Sequence, residues 1–116
     1  MAEPIKAYLI DPFARTITEV VRPSGGRGPE SLKEIYELLD CDCIDAVRPE
    51  QSQDDAIYVD DLGLDRHEQA FFFCDLFPYQ QLAGKGLWVG STRSGNDASP
   101  KMTLDHVRQH IFWVLM

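Results

Sequence analysis

The sequence predicts an α+β domain: a mainly antiparallel sheet of about five or six strands with two helices, the second at the C-terminus. Apolar residues recur at helical spacing over 31–39, behind a strong N-terminal signal, and again after Thr103. Short runs rich in β-branched and aromatic residues lie before and between these stretches, separated by proline, glycine and aspartate. At 116 residues the chain is read as one domain, 1–116, with room for a single core.

The first strand is "IKAYLID", in which Ile5, Ala7 and Leu9 alternate with Lys6, Tyr8 and Ile10. Pro12 stops it, and "RTITEVV" resumes with Ile17 and Val21 on one face, so a hairpin is expected. Residues 22–30, "RPSGGRGPE", form a flexible loop by composition. Ser31 and Glu34 match a capping box, in which each side chain answers the other's unpaired backbone N–H. Leu32, Ile35, Leu38 and Leu39 then supply the apolar stripe of a helix that ends by Asp40–Asp42. "CIDAV" is the next strand, closed by Pro49. "AIYVDD" follows, with Val59 inward alongside Ile57, Tyr58 on the opposite face, and a turn in which Gly63 can take positive φ. "AFFFCDLF" and "GLWVGS" complete the strands, and the polar segment 91–101 is expected to be a mobile loop. The last helix starts from Thr103 as N-cap, with Asp105 in its first turn and Leu104, Val107, Ile111, Val114 and Leu115 on one face.

Charge narrows the partners. The net charge of −8, from 19 acidic and 11 basic residues, opposes direct binding to nucleic acid or to an anionic membrane. It suits solubility, or docking onto a basic protein surface. No apolar run reaches the roughly 20 residues of a membrane span, and "MAEPIKAYLIDP" does not read as a signal peptide. Three cysteines, an odd number, argue against a secreted disulfide framework, so a reducing cytoplasm is the expected compartment.

Four motifs carry possible chemistry. Tyr58-Val59-Asp60-Asp61 matches the Y-x-D-D hairpin of reverse transcriptases, and Asp11 could supply a further carboxylate. The surrounding charge is the wrong sign for a template groove, because Asp54, Asp55, Asp60, Asp61 and Asp65 crowd one segment. A solvated strand end at Asp60 and Asp61 is the expected reading, with a cation at that acidic corner as its alternative. Cys41 and Cys43 share one side of an extended chain, but a structural zinc site takes four ligands and only Cys74 remains. They are expected to behave as small apolar residues. His106 and His110 stand at i and i+4, the spacing of zinc metalloproteases, yet Val107 occupies the place of the general base. A helical wheel groups His106, His110 and Trp113 away from the Leu104/Ile111 stripe, a candidate partner-binding patch with simple packing or metal binding as alternatives. Finally, Phe71-Phe72-Phe73 must place rings on both faces of its strand, which requires either cover on both sides or an exposed apolar patch. "SGGRG" and "GKG" do not continue as a phosphate-binding loop, and no nucleophile elbow is present.

Several stretches together resemble a small family of phage- and plasmid-borne domains of unknown function. They are "IKAYLIDP", "SLKEIYELLDCD", "IDAVRP", "IYVDDLGL" and "GKGLWVG", spread over residues 5–90. The chain departs from that pattern at "DRHEQA", where members often carry proline and asparagine. The resemblance implies an accessory protein of a mobile genetic element and brings no catalytic residues. The expected function is therefore a small acidic non-enzymatic protein, without a cofactor, that binds another protein or itself, as in a homodimer. A small-ligand or divalent-metal domain using Asp60 and Asp61, or His106 and His110, is the alternative.

Overall fold

A computed structural model of the protein describes residues 3–48, 55–63, 69–76 and 81–114. The elements run β1 (Ile5–Asp11), β2 (Thr16–Arg22), α1 (Gly28–Leu39), β3 (Ile44–Val47), β4 (Asp55–Asp60), β5 (Phe71–Cys74), β6 (Leu82–Ala83), β7 (Gly86–Ser91), β8 (Asp97–Ala98), α2 (Leu104–His110) and β9 (Ile111–Trp113). The expected α+β class with two helices is what the chain forms. A six-stranded sheet has the order β2-β1-β7-β4-β3, with β8 added to β7, and β6-β5-β9 make a second, smaller sheet. All these pairings are antiparallel.

"GLWVGS" lies at the centre of the large sheet, between β1 and β4. Its Leu87, Trp88 and Val89 are all fully buried, which a strand covered on both faces requires. The alternation of β1 and β4 divides the interior in two. Tyr8, Ile10, Ile57, Val59 and Trp88 face α2 and the small sheet, where Phe72, Cys74, Val107 and Ile111 close one cluster. Ala7, Ala56, Leu87 and Val89 face α1, where Ile35 and Leu39 close the other. A single core with both helices on it is thus corrected to two cores on opposite faces of one sheet. Period-two strands at the middle of the sheet give each face enough apolar surface to hold a layer.

The first helix begins three residues before the expected Ser31, with Arg27 at the N-cap position and Pro29 in its first turn. The capping box is not formed. Ser31 is buried within α1 and accepts from Arg22, while Glu34 is engaged by Arg22 and Ser24. Leu32, expected in the stripe, is 43% exposed. The helix ends as expected, with Asp40 left-handed (φ 53°) and the Cys41 N–H donating to the Tyr36 carbonyl at 3.0 Å.

Gly63 does not take positive φ. Its lack of a side chain matters differently, because a Cβ there would lie 2.8 Å from the Ala83 carbonyl oxygen. The two segments read as loops, 22–30 and 91–101, also carry structure. Arg22 ends β2 fully buried, α1 takes in 28–30, and β8 with the buried Asp97 interrupts the second segment.

Thr103 caps α2 as expected, its hydroxyl accepting from the His106 N–H at 3.2 Å. The helix stops at His110, and Ile111–Trp113 continue as a strand. Ile-Phe-Trp is β-branched and aromatic sequence, and pairing with β5 gives its backbone the hydrogen bonds that another helical turn would supply.

Candidate functional site

The short strand β9 rearranges the C-terminal patch. Its register with β5 pairs Phe72 with Trp113, Phe73 with Phe112 and Cys74 with Ile111. Alternation then turns Trp113 inward, half-buried against the core. The predicted grouping of an outward Trp113 with His106 and His110 is therefore corrected: a helical wheel misplaces a residue that the chain presents on a strand. Phe112 takes the outward position instead.

The outer face of the small sheet carries Phe73 and Phe112 side by side, 37% and 42% exposed. Their rings stack with centroids 5.1 Å apart and planes 19° from parallel, within the range of offset aromatic pairs. The backbone continues the ladder in both directions. The Val114 N–H donates to the Phe71 carbonyl at 3.1 Å on one side, and the Asp75 N–H to the His110 carbonyl at 3.1 Å on the other. The phenylalanine run thus has one buried ring, Phe72, and a neighbour, Phe73, turned outward, which is the exposed-patch alternative rather than a strand covered on both faces.

Beyond the aromatic pair lies a polar chain. Asp75 Oδ1 is 2.5 Å from His110 Nδ1, and His110 Nε2 is 3.2 Å from His106 Nε2. The i, i+4 spacing on α2 brings the two imidazoles together, and the β5–β9 register brings Asp75 to them.

The acidic corner is arranged differently. Asp60, half-buried at the end of β4, accepts from the Leu62 N–H at 2.9 Å, and the exposed Asp61 donates its N–H to the Cys43 carbonyl at 3.0 Å. Asp11 accepts from the N–H groups of Phe13 and Ala14, forming its own turn. Ile10 and Val59 both pair with Gly86 from opposite sides of β7. Asp11 and Asp60 therefore stand two inter-strand spacings apart, about 9–10 Å. Each carboxylate closes a turn of its own, Asp11 with Phe13 and Ala14, Asp60 with Leu62. The cysteines are also divided. Cys74 is buried on the α2 side of the large sheet, Cys41 packs on the α1 side, and Cys43 is exposed. Among the described residues no three histidine, cysteine or carboxylate side chains group as a metal site. Asp54 and Asp65 lie outside the described residues.

Two buried polar centres escaped the sequence reading. Asp55, counted there among the crowded surface acids, is fully buried. Its carboxylate accepts from Trp88 Nε1 at 2.8 Å, from the Lys101 N–H at 3.0 Å and from the Met102 N–H at 3.2 Å. Tyr8 donates its hydroxyl to the Met102 carbonyl at 2.7 Å. Together they seat the segment that leads into α2. Burial, then the negative charges of Glu19 and Asp55, push the Tyr8 hydroxyl above the usual tyrosine range.

On the other face Arg22, with no exposure at all, donates to Glu34 at 2.7 Å, to Asp97 at 2.7 Å and to the Ser31 hydroxyl at 2.8 Å. Tyr58 donates to the second Asp97 oxygen at 2.6 Å. Burial, then the bonded Asp97 carboxylate, push the Tyr58 hydroxyl well above its ordinary range. Burial alone would raise the Glu34 carboxyl, but hydrogen bonds from Ser24 and Arg22 outweigh it and hold the group below its ordinary value. A depression of about 200 Å³ opens beside this network, lined by Gly26, Ser31, Tyr58 and Asp97 among others. It is smaller than typical ligand pockets, roughly 300–1,000 Å³, so the network reads as a structural tie between α1, β2 and β8. One sequence signal could have pointed to it: an arginine at a strand position otherwise spent on apolar residues.

A family model described as "Domain of unknown function (DUF3846)" matches residues 5–111. The chain belongs to the DUF3846 family. The match takes in β1 to β8, α2 with both histidines, and the first residue of β9. No curated protein and no solved structure matches the chain. No helix among the described residues of this DUF3846 domain is long and apolar enough to cross a membrane.

Proposed function

We propose that the protein is a small non-enzymatic accessory protein of a mobile genetic element that works by binding another protein through the outer face of the small sheet. The observation that carries this reading is the stacked, outward Phe73–Phe112 pair. Two phenylalanines at about 40% exposure leave roughly 150 Å² of ring surface in water, and covering it is worth up to about 4 kcal/mol before the costs of association. That area is small beside the roughly 800 Å² that each partner commonly buries. It has the size and composition of an interface centre rather than of a whole interface. Partner and compartment follow from charge and cysteine use: a protein surface with an apolar centre and a basic rim, met in a reducing cytoplasm.

Phe73→Ser/Phe112→Ser tests this reading. Light scattering over a range of concentrations reports self-association, and affinity capture from the native host reports other partners. Either kind of complex, formed by the wild type and lost in the double variant with the fold intact, supports the proposal. A wild-type monomer that captures nothing, or complexes indifferent to both substitutions, would refute it.

A further inference from the structure

We propose that His106 and His110 form a binding site for a divalent transition metal of the imidazole-preferring class, with Asp75 as the residue that positions His110. The proposal is independent of the aromatic contact surface. It starts from the approach of the two imidazoles, whose centroids are 4.9 Å apart while their Nε2 atoms are only 3.2 Å apart. The rings therefore converge at their tips. A metal about 2.05 Å from each Nε2 would subtend an N–metal–N angle of about 103°, close to the tetrahedral value that zinc adopts. The helix backbone supplies this spacing, so no rearrangement of the chain is needed to close the chelate.

Asp75 adds the second part of the argument. Its carboxylate, 2.5 Å from His110 Nδ1, takes the Nδ1–H and leaves a lone pair on His110 Nε2, aimed at His106. A carboxylate behind a ligating histidine is the usual means of fixing its tautomer and raising its basicity. In the tautomer that leaves this lone pair on His110, His106 Nε2–H is the donor of the 3.2 Å contact between the rings. On metal binding the His106 proton moves to Nδ1, and both Nε2 atoms become ligands. The site lies at the surface, with His106 exposed and the His110 side chain 25% exposed. Since no third ligand joins the pair among the described residues, the remaining positions are open to water. Imidazole donors with open positions suit Zn²⁺, Ni²⁺ or Cu²⁺ rather than Mg²⁺ or Ca²⁺, which take oxygen ligands.

The test is calorimetric titration of the full chain with Ni²⁺ and, separately, Mg²⁺. The wild type is expected to bind Ni²⁺ with micromolar affinity and to ignore Mg²⁺. His106→Gln and His110→Gln should each abolish tight binding, and Asp75→Asn should weaken it by about 10–100-fold. Cys41→Ser/Cys43→Ser should leave it unchanged. Circular dichroism of each metal-free variant checks that the fold is retained. Histidine ring NMR signals give a second readout, with those of His106 and His110 shifting or broadening on addition of metal. The proposal is overturned if the wild type binds no Ni²⁺ up to about 1 mM, a free energy of only about −4 kcal/mol. It is equally overturned if the histidine variants bind as the wild type does, or if the cysteine variant loses the site. An Asp75→Asn variant with unchanged affinity would remove Asp75 from its assigned role.

Discussion

Replacing Arg22 with methionine removes the positive centre of a buried cluster and leaves its partners in place. The guanidinium has no solvent exposure, and the carboxylates it joins are nearly enclosed, Glu34 at 16% and Asp97 at 9% side-chain exposure. Methionine fills comparable volume, so the cost is electrostatic rather than a cavity. Breaking a buried pair by deleting one partner costs about 3–5 kcal/mol, because the remaining charge is stranded in a low-dielectric site. Two carboxylates are stranded here, which places Arg22→Met toward the upper end of that range. Against a total stability of about 5–15 kcal/mol for a domain, the variant retains little margin. The melting temperature should fall by roughly 12–20 °C, at about 4 °C per kcal/mol for a chain of this size. Urea denaturation followed by tryptophan fluorescence measures the loss, since Trp88 is fully buried. The triple variant Arg22→Met/Glu34→Gln/Asp97→Asn removes the stranded charges too and should recover at least about half of the loss, as wholesale replacement of buried ion pairs often does. A loss below about 1 kcal/mol for the single variant, or a triple variant no more stable than the single, would refute the reasoning.

Tyr58→Phe deletes the hydrogen bond to Asp97 and should cost about 1.5–3 kcal/mol, the range for bonds to charged acceptors, read from the shift in urea midpoint. Glu34 gives an acid-side dependence. Its folded pKa lies below that of the unfolded chain, so its contribution is whole above the ordinary carboxylate range and is lost as pH falls through the folded value. Urea midpoints measured from about pH 7 down to about pH 3 should decline less steeply in Glu34→Gln than in the wild type. Gly90→Ala should destabilise the chain by about 1–3 kcal/mol and loosen β8, because a Cβ would stand 2.3 Å from the Ser99 carbonyl oxygen. Amide exchange at Asp97 and Ala98 would report that loosening, and unchanged protection there would argue against it.

Local pattern made much of the fold legible. The alternation in "IKAYLID" yields β1, "AIYVDD" yields β4 with Tyr58 opposite Ile57 and Val59, and Thr103 caps α2 where its position says it should. The errors share a cause. Ser31 and Glu34 fit a capping box, but a buried arginine from β2 offered both a stronger partner than their own backbone. Leu32 fits the stripe by spacing, yet the sheet is met by the Ser31–Ile35–Leu39 edge of the helix. Trp113 reads outward on a helical wheel and is half-buried because the chain changes from helix to strand at Ile111. The histidine spacing was visible. Asp75 and Phe112 were not, because they join the site through a strand pairing some 40 residues apart in sequence.

By itself, then, the sequence determined the longer strands, the presence of both helices, where α2 starts, and that the chain is acidic, since these follow from short-range periodicity, capping and composition. Only the tertiary structure decided that the helices lie on opposite faces of the sheet and that Asp55 and Arg22 are buried. The same holds for Asp11 and Asp60 standing apart, and for an aromatic pair joining a histidine pair at the surface. Those outcomes depend on strand order and register, which bring distant residues together through backbone hydrogen bonds that no local pattern records.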